Sequence, residues 1–505
     1  MSKTILAQAS LTLYAYHLRT DISKGPEQPS EKAAQLWEQL VELGQTLEIP
    51  ALQNLKHKLI CYGSNDQYDP IVENQLTLKW QSLLHSKKDP LNFELIASTA
   101  EKDLRLNGVL CPFRLHDTYA IDLTLSSDDT IFIDELEQLN PKGLLLPQYI
   151  QASIGQTLLL YGKFIAPCGD HEKLQELADY CVAQILRNQT LPPITRKGKL
   201  LNNQIFEYET LEIEPSKRYH ILVWFINPDT SIDNELKDVS ELLLYLLCAR
   251  HKILSAYDQC QRCVHQAEKV YSELEKYIEK FEAIALKDQF HRLEEFKHLL
   301  VKLPTTAIDY SKYLRNLADD EITIATNIKN YKSNLNKLSE LPGNDLSFLK
   351  EFIELTHKKY EAQIQVDRLH LEPGAKLFQQ LIDTVRGIVA IDRAELEAQK
   401  AERDRANEAE AEKREKAAQE REKQLEQVIT LVGAGLAVSS ISSSVMNNPS
   451  EQFQWVSKDN FSSNLVYIFL LNVGFHVLVG VMSAIFLSFV LFGMRQLLKA
   501  AGKLK

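Results

Sequence analysis

The sequence lacks several features that would place it directly in a common functional class. Its formal net charge at pH 7 is −11, and this absence of a basic excess argues against a general electrostatic grip on nucleic acid. No glycine-rich loop is followed by Lys-Ser or Lys-Thr, so no phosphate-cradling loop is predicted. No Ser-His-Asp or Cys-His arrangement stands out, and we therefore expect a protein that is not an enzyme.

The cysteines are few and scattered. The chain has seven, an odd number, which predicts reduced thiols in a cytosolic region rather than a disulfide framework. Cys260, Cys263 and His265 raise the question of a zinc site, with Cys248 and His251 upstream. On a helix, however, Cys260 and Cys263 share a face and His265 points elsewhere. Two matched ligands do not complete a structural zinc site, so buried or unreactive thiols are favoured.

Residues 1–230 predict a cytosolic domain that mixes helices and strands. Tyr14, Tyr16 and His17 interrupt the N-terminal apolar stretch, so we expect no signal peptide. The first hundred or so residues are predicted to be mainly helical, as in 31–47, where apolar residues recur at helical spacing. Short β-branched or aromatic runs further along predict strands at 118–125, 130–136, 156–164, 204–213 and 218–228.

Long helices are predicted to follow this domain. Residues 231–374 indicate a helical hairpin or bundle with interruptions at Pro304 and Pro373. Residues 375–426 are rich in Ala, Glu, Lys and Arg, which predicts a rigid stalk helix; a solvated helix or a disordered linker is the alternative. If the stalk continues to Met446, it is roughly 100 Å long at about 1.5 Å per residue. The predicted fold class is an α+β domain followed by long helices, mostly α overall.

Two apolar segments near the C-terminus predict transmembrane helices. Residues 465–493 are uncharged and long enough to cross about 30 Å of hydrocarbon. Residues 427–446 are also uncharged, but their serines and glycines favour either a helix enclosed in a bundle or an amphipathic stalk extension that never crosses. The basic tail 494–505 and the short external link 447–464 then place both termini in the cytosol, in an inner (plasma) membrane.

The hydroxyl groups of segment 427–446 indicate a pore. A single copy cannot shield these serines from lipid on all sides, whereas a ring of copies can turn Ser439 and Ser443 toward a water-filled path. The pattern therefore predicts a homo-oligomer in the lipid bilayer.

The stretch Val445-Met446-Asn447, with the two-span plan around it, resembles the CorA family of divalent-cation transporters, whose first transmembrane helix ends in Gly-Met-Asn. The resemblance covers mainly residues 375–505. It implies a pentamer whose outer pore mouth is formed by Met446 and Asn447, with Mg²⁺ as the transported or regulatory ion and no other cofactor. Glu451 would stand in for the family's acidic outer loop. Val445 departs from the family's glycine, and a β-branched residue disfavours a tightly turned backbone there.

We therefore predict a channel or transporter for magnesium or another divalent cation, gated by its cytosolic domain. A second hypothesis is a membrane-anchored sensor or effector, like the CorA-like proteins found beside CRISPR defence systems, and a third is a passive tether. His476 within the second span is either functional or bonded to a neighbouring helix. Asp319, Asp320 and Glu321 either bind regulatory cations or form a solvated acidic face.

Overall fold

The computed structural model describes most of the chain up to residue 419. Within residues 4–419, the exceptions are 22–27, 64, 71–79, 87–88, 99–102, 168–170, 188–189, 211 and 213. Beyond 419, only positions 478, 482, 486, 489, 490, 493 and 494 are described. The chain divides into two compact units, one formed by Met1–Ser272 with Ile308–Ala375 and the other by Glu273–Ala307 with Lys376–Lys505.

The first unit contains a mixed ten-stranded sheet. Its strands are β1 Ile5–Leu18, β2 Trp80–Ser82, β3 Leu91–Ser98, β4 Asp103–Leu115, β5 Thr118–Ser127, β6 Ile131–Phe132, β7 Gly155–Phe164, β8 Ile194–Leu200, β9 Asn203–Glu209 and β10 His220–Ile226. The main order is β2-β4-β5-β1-β7-β10-β9-β8, with β3 beside β4 and β6 beside β1. The β7–β10 pair is parallel and the other pairs are antiparallel.

The N-terminal segment corrects the prediction that the first hundred residues are mainly helical. It forms β1, which pairs along its length with β5 on one side and β7 on the other. Leu11, for example, lies between Leu125 and Leu160. A strand buried on both faces shows a nearly continuous apolar run, and single-sequence periodicity cannot separate such a run from a buried helix. Pairing partners more than a hundred residues away decide its state.

The structure gives the bounds of eight α-helices. They are α1 Gln35–Thr46, α2 Pro50–Gln53, α3 Pro147–Ile150, α4 His171–Leu186, α5 Asp233–Ala285, α6 Gln289–Ser339, α7 Ser347–Leu355 and α8 Ala362–Gln419. A π-helical turn, Thr356–Glu361, joins α7 to α8. The predicted α/β region followed by long helices is therefore confirmed. Pro304 and Pro373 lie inside α6 and α8, so the predicted interruptions at these prolines are wrong. A proline removes one backbone hydrogen bond, and both helices continue past that loss.

In the first unit, α5, α6 and α8 form a three-helix bundle with a seven-residue repeat. Its buried positions are Val239, Leu246, Ile253, Cys260 and Ala267 on α5, Tyr310, Leu317, Ile324, Tyr331 and Leu338 on α6, and Ile364 and Leu371 on α8. The Tyr310 hydroxyl donates to the Leu371 carbonyl at 2.6 Å. A repeat of seven keeps one face of each helix turned toward its partners, so this spacing builds a continuous apolar seam.

The second unit contains the adjoining parts of the same three helices. Phe281 of α5 stacks on Phe296 of α6, with ring centroids 5.4 Å apart. On α8, Asp392 is buried and accepts a hydrogen bond from the Nε of Arg292 at 2.8 Å. The helical residues of the predicted stalk, 375–419, belong to α8.

None of the helices in the described part of the chain combines the length and apolar character needed to cross a bilayer. This finding contradicts the predicted function, a gated divalent-cation channel, and the predicted inner-membrane localisation. The membrane-anchored effector has no support either. Residues 427–446 and 447–464, and most of 465–493, lie outside the described residues.

Candidate functional site

A buried polar cluster joins the sheet to α5, and we call it the polar junction. It consists of Thr157 of β7, Glu207 and Glu209 of β9, His220 of β10, and Arg250 and His251 of α5. The Thr157 hydroxyl lies 2.7 Å from Nδ1 of His220 and 2.8 Å from Nε2 of His251. On the other side of the His220 ring, Nε2 lies 3.0 Å from Oε1 of Glu207.

Arg250 supplies the positive charge of the polar junction. Its Nη2 lies 2.7 Å from Oε2 of Glu209 and 3.3 Å from Oε1 of Glu207. The guanidinium also stacks over the ring of Phe352 in α7, 4.3 Å from the ring centroid. Glu207 has a second basic partner, Arg196 of β8, whose Nη1 donates to Oε2 of Glu207 at 3.1 Å. One buried arginine thus ties two strand carboxylates to both α5 and α7.

The hydrogen-bond pattern assigns protons to the two rings. Nε2 of His220 lies 3.0 Å from Oε1 of the ionised Glu207 and 3.3 Å from Nε of Arg250. The shorter contact, to a carboxylate that can only accept, places the proton of the neutral ring on Nε2, so Nδ1 accepts from the Thr157 hydroxyl. The same hydroxyl then accepts from Nε2 of His251. This leaves Nδ1 of His251 unprotonated, and that atom is buried without a hydrogen-bond partner.

Gly155 makes room for His251. Its φ is +142°, a conformation that side chains rarely adopt, and a Cβ placed there would lie 2.5 Å from Nδ1 of His251. The first residue of β7 therefore has to be glycine for α5 to approach the sheet this closely.

Burial and charge set the protonation states of the polar junction. Burial lowers the pKa of His251 well below its usual value, and His220 and Arg250 lower it further. Burial, followed by Arg250, also lowers the pKa of His220. Burial alone would raise the pKa of Glu207, but Arg250, His220 and Arg196 outweigh it and bring that pKa to about 2. The cluster therefore holds neutral imidazoles beside an ionised carboxylate.

The grouping of Thr157, His220 and Glu207 has the donors and acceptors of a nucleophile–base–acid triad, but all three side chains are buried. Thr157 has no exposed surface, Glu207 is 1% exposed and His220 is 2% exposed. A triad acts only where a substrate atom can reach the nucleophile. The arrangement instead fixes the position of α5 against the sheet.

Sequence reasoning missed most of the polar junction. The available signal was a pair of glutamates inside the alternating strand 204–213, together with a histidine that opens the apolar strand of residues 218–228. Charged residues in a buried strand need partners, and the sequence does not show which distant arginine provides them.

A polar cleft lies on another face of α5. It encloses about 440 Å³ between the β4–β5 turn, α5 and α6. The α5 side presents Leu242, Tyr245 and Ala249, and the α6 side presents Asn330, Ser333 and Asn334. Further lining side chains include His116, Asn327 and the charged residues Glu241, Lys252 and Lys337. We call this space the α5–α6 cleft.

The charges around the α5–α6 cleft are nearly balanced. Lys252 forms an ion pair with Asp117 in the β4–β5 turn. Burial would raise the pKa of Asp117, but Lys252 outweighs burial and lowers it. Glu241 and Lys337 then contribute one charge of each sign. Such a lining favours a ligand without a large net charge.

The residues singled out from the sequence are dispersed. Cys260 and Cys263 are buried on one face of α5, and His251 belongs to the polar junction. Glu321 pairs with Arg368 at 2.6 Å, whereas Asp320 is buried and Asp319 is exposed. No group of three or more His, Cys, Asp or Glu side chains among the described residues is arranged to hold a metal ion. The pore residues lie outside the described residues; they are Ser439, Ser443, Met446, Asn447 and Glu451.

Comparison with known protein families and with curated proteins gives no match for this chain. The CorA resemblance, the pentamer and the absence of enzymatic activity therefore stay predictions.

Proposed function

We propose that this chain is a non-enzymatic binding protein that takes a small polar ligand in the α5–α6 cleft. The observation that carries the proposal is the cleft of about 440 Å³, a volume typical of small-molecule sites, at the place where the sheet meets the helices. Ligand sites commonly form where two structural layers meet, because side chains from separate elements converge there.

The cleft lining indicates the ligand's chemistry. The carboxamides of Asn330 and Asn334 each contain a donor group and an acceptor group, so they suit a ligand that has both. Leu242 and the ring of Tyr245 supply an apolar wall for a flat or aliphatic part. Since the charges are balanced, the class that fits is an uncharged or zwitterionic polar molecule.

The buried state of the polar junction supports binding rather than catalysis. Its Thr157, His220 and Glu207 side chains cannot meet a substrate without opening the sheet–helix contact. The α5–α6 cleft itself contains the Cys248 thiol, whose pKa burial raises to about 11, so it is a poor nucleophile at neutral pH.

Extraction of bound molecules from the purified full chain tests the proposal. Small molecules released by denaturation would be identified by mass spectrometry and added back to fresh protein in a calorimetric titration. We expect one class of polar molecule to bind with about one site per chain, and to be lost when Ser333→Trp fills the cleft.

Asn336→Trp is the matched control, because Asn336 is an exposed residue of α6 that does not line the cleft. It should retain the ligand. Equal binding by the Ser333→Trp and Asn336→Trp variants would place the ligand elsewhere and reject the cleft.

A further inference from the structure

A buried carboxyl group, that of Asp320, lies in the core of the three-helix bundle. Asp320 of α6 is 8% exposed and faces α5. Its carboxyl group shares a hydrogen bond with the thiol of Cys260, and its Oδ2 is buried without a hydrogen-bond partner. No Lys, Arg or His of the described residues forms an ion pair with Asp320, in contrast to Glu321 next to it, which pairs with Arg368.

The surroundings of Asp320 contain little positive charge. From α5 it is faced by the thiols of Cys260 and Cys263, and Arg262 acts on it from an exposed position. Asp319 adds negative charge from its own helix. From α8, Asp367 acts on Cys260 and accepts a hydrogen bond from Gln261. An ionised carboxylate here would be buried among thiols and other acids, which is costly without a partner.

We propose that Asp320 makes the contact between α5 and α6 depend on pH, and we call this carboxyl group the clamp. The contact is more stable when the carboxyl is protonated and less stable when it is ionised. In the protonated form the carboxyl group carries no net charge into the seam. In the ionised form the same position holds an unpaired charge beside two thiols. The clamp concerns the bundle alone and is independent of the ligand proposed for the α5–α6 cleft.

The direction of the effect follows from the two protonation equilibria. Burial raises the pKa of Asp320 to about 7; Asp319 raises it further, while Cys260 and Arg262 lower it. In the unfolded chain the group returns to the ordinary value near 3.8. Between these values the folded chain holds a proton that the unfolded chain has lost, so stability falls as pH rises from about 4 to about 7 and then levels off.

The test compares unfolding of the full-length wild type with that of Asp320→Asn and Asp319→Asn between pH 5 and pH 8. Asn keeps the shape of the side chain but cannot ionise. Relative to Asp320→Asn, the unfolding equilibrium constant of the wild type should rise by about tenfold per pH unit between pH 5 and pH 7. Titrating groups common to both proteins cancel in this ratio.

Asp319→Asn is the matched control, since Asp319 is the exposed neighbour on the same helix. It should keep the slope of the wild-type profile and displace it only slightly to lower pH, because burial raises the pKa of Asp320 more than Asp319 does. Hydrogen exchange of residues 256–264 and 316–324 gives a local measurement, and their protection should fall between pH 5 and pH 7 and level off above pH 7 in the wild type but not in Asp320→Asn.

Asp320→Ala also removes the carboxyl group. The ratio of its unfolding equilibrium constant to that of Asp320→Asn should not change with pH, whatever the absolute stability of Asp320→Ala. If the wild type and Asp320→Asn differ by a constant factor across the pH range, or if Asp319→Asn alone flattens the profile, Asp320 does not act as the clamp.

Discussion

The polar junction and the bundle core are both buried, but they treat buried charge in opposite ways. At the junction, Glu207 and Glu209 share Arg250, and Glu207 also accepts from Arg196. In the bundle, Asp320 has the Cys260 thiol as its neighbour and forms no ion pair with the residues that the structure describes. The first arrangement fixes its groups in one charge state over a wide pH range, whereas the second makes the charge state depend on pH near neutrality.

The comparison shows what a buried ion network contributes. Pairing with arginine lowers the pKa of Glu207 to about 2, whereas burial raises the pKa of Asp320 to about 7. Both side chains are almost fully buried, so burial does not explain the difference. The position of the arginines does, because Arg250 is buried beside Glu207 whereas Arg262 acts on Asp320 from an exposed position. The junction is therefore suited to a permanent connection and the bundle core to a reversible one.

We expect the largest loss of stability when the shared cation of the polar junction is removed. Arg250→Met removes the shared cation and leaves two carboxylates at the sheet–helix contact, one buried and one nearly so. Breaking a buried pair in this way costs about 3–5 kcal/mol. Chemical denaturation of the full chain would measure the loss. Arg393→Met, which removes an exposed pair with Glu397 on α8, should leave the stability nearly unchanged.

A somewhat smaller effect is expected from the apolar part of the bundle. Ile324 is fully buried in the seam, whereas Ile322 on the same helix is 64% exposed. Ile324→Ala should lower the free energy of unfolding by about 2–5 kcal/mol, because it removes buried methyl groups and leaves a cavity. Ile322→Ala should have little effect. If the two variants lose equal stability, the seven-residue seam is not what holds α6.

The smallest expected effect is on the pH dependence of folding stability, which should have opposite signs in the polar junction and in the bundle core. The pKa of His251 is lowered in the folded chain, so below the ordinary value near 6.5 the unfolded chain binds a proton that the folded chain does not. The junction therefore loses stability as pH falls, by about 1.4 kcal/mol per pH unit for one such group. This direction is opposite to that expected for Asp320.

His251→Gln would isolate this contribution when its unfolding is compared with that of the wild type at pH 5 and pH 7.5. The wild type should lose stability relative to the variant at the lower pH. His298→Gln, at an exposed position of α6, should follow the wild type. A parallel response of wild type and His251→Gln would show that His251 already takes up a proton in the folded chain.

Local sequence patterns predicted part of the fold correctly. The runs that became β5, β7 and β10 were read from their β-branched and aromatic residues, and α1 from its helical spacing. The predicted strand at 130–136 is only two residues long as β6, after which the chain turns into a 3₁₀ helix, Ile133–Leu139. This 3₁₀ helix contacts α4, and the local sequence pattern does not predict that contact.

The candidate sites were much less predictable. Asp320 was noticed as an acid on a helix, but its burial depends on Cys260 lying opposite, 60 positions earlier. The polar junction draws on β7, β9, β10 and α5, and the α5–α6 cleft needs the β4–β5 turn to meet two helices. The membrane function was inferred from segments that lie mainly outside the described residues, and the described helices contradict it.

The sequence by itself determined where strands give way to long helices, and it set the seven-residue repeat, because these follow from local propensity and the spacing of apolar side chains. Only the tertiary structure decided which strands pair, that Glu207 meets Arg250, and that Asp320 forms no ion pair within the described part of the chain. The physical reason is that pairing and desolvation are set by residues far apart in the chain. Identical carboxyl groups acquire opposite protonation behaviour according to the neighbours that folding brings to them.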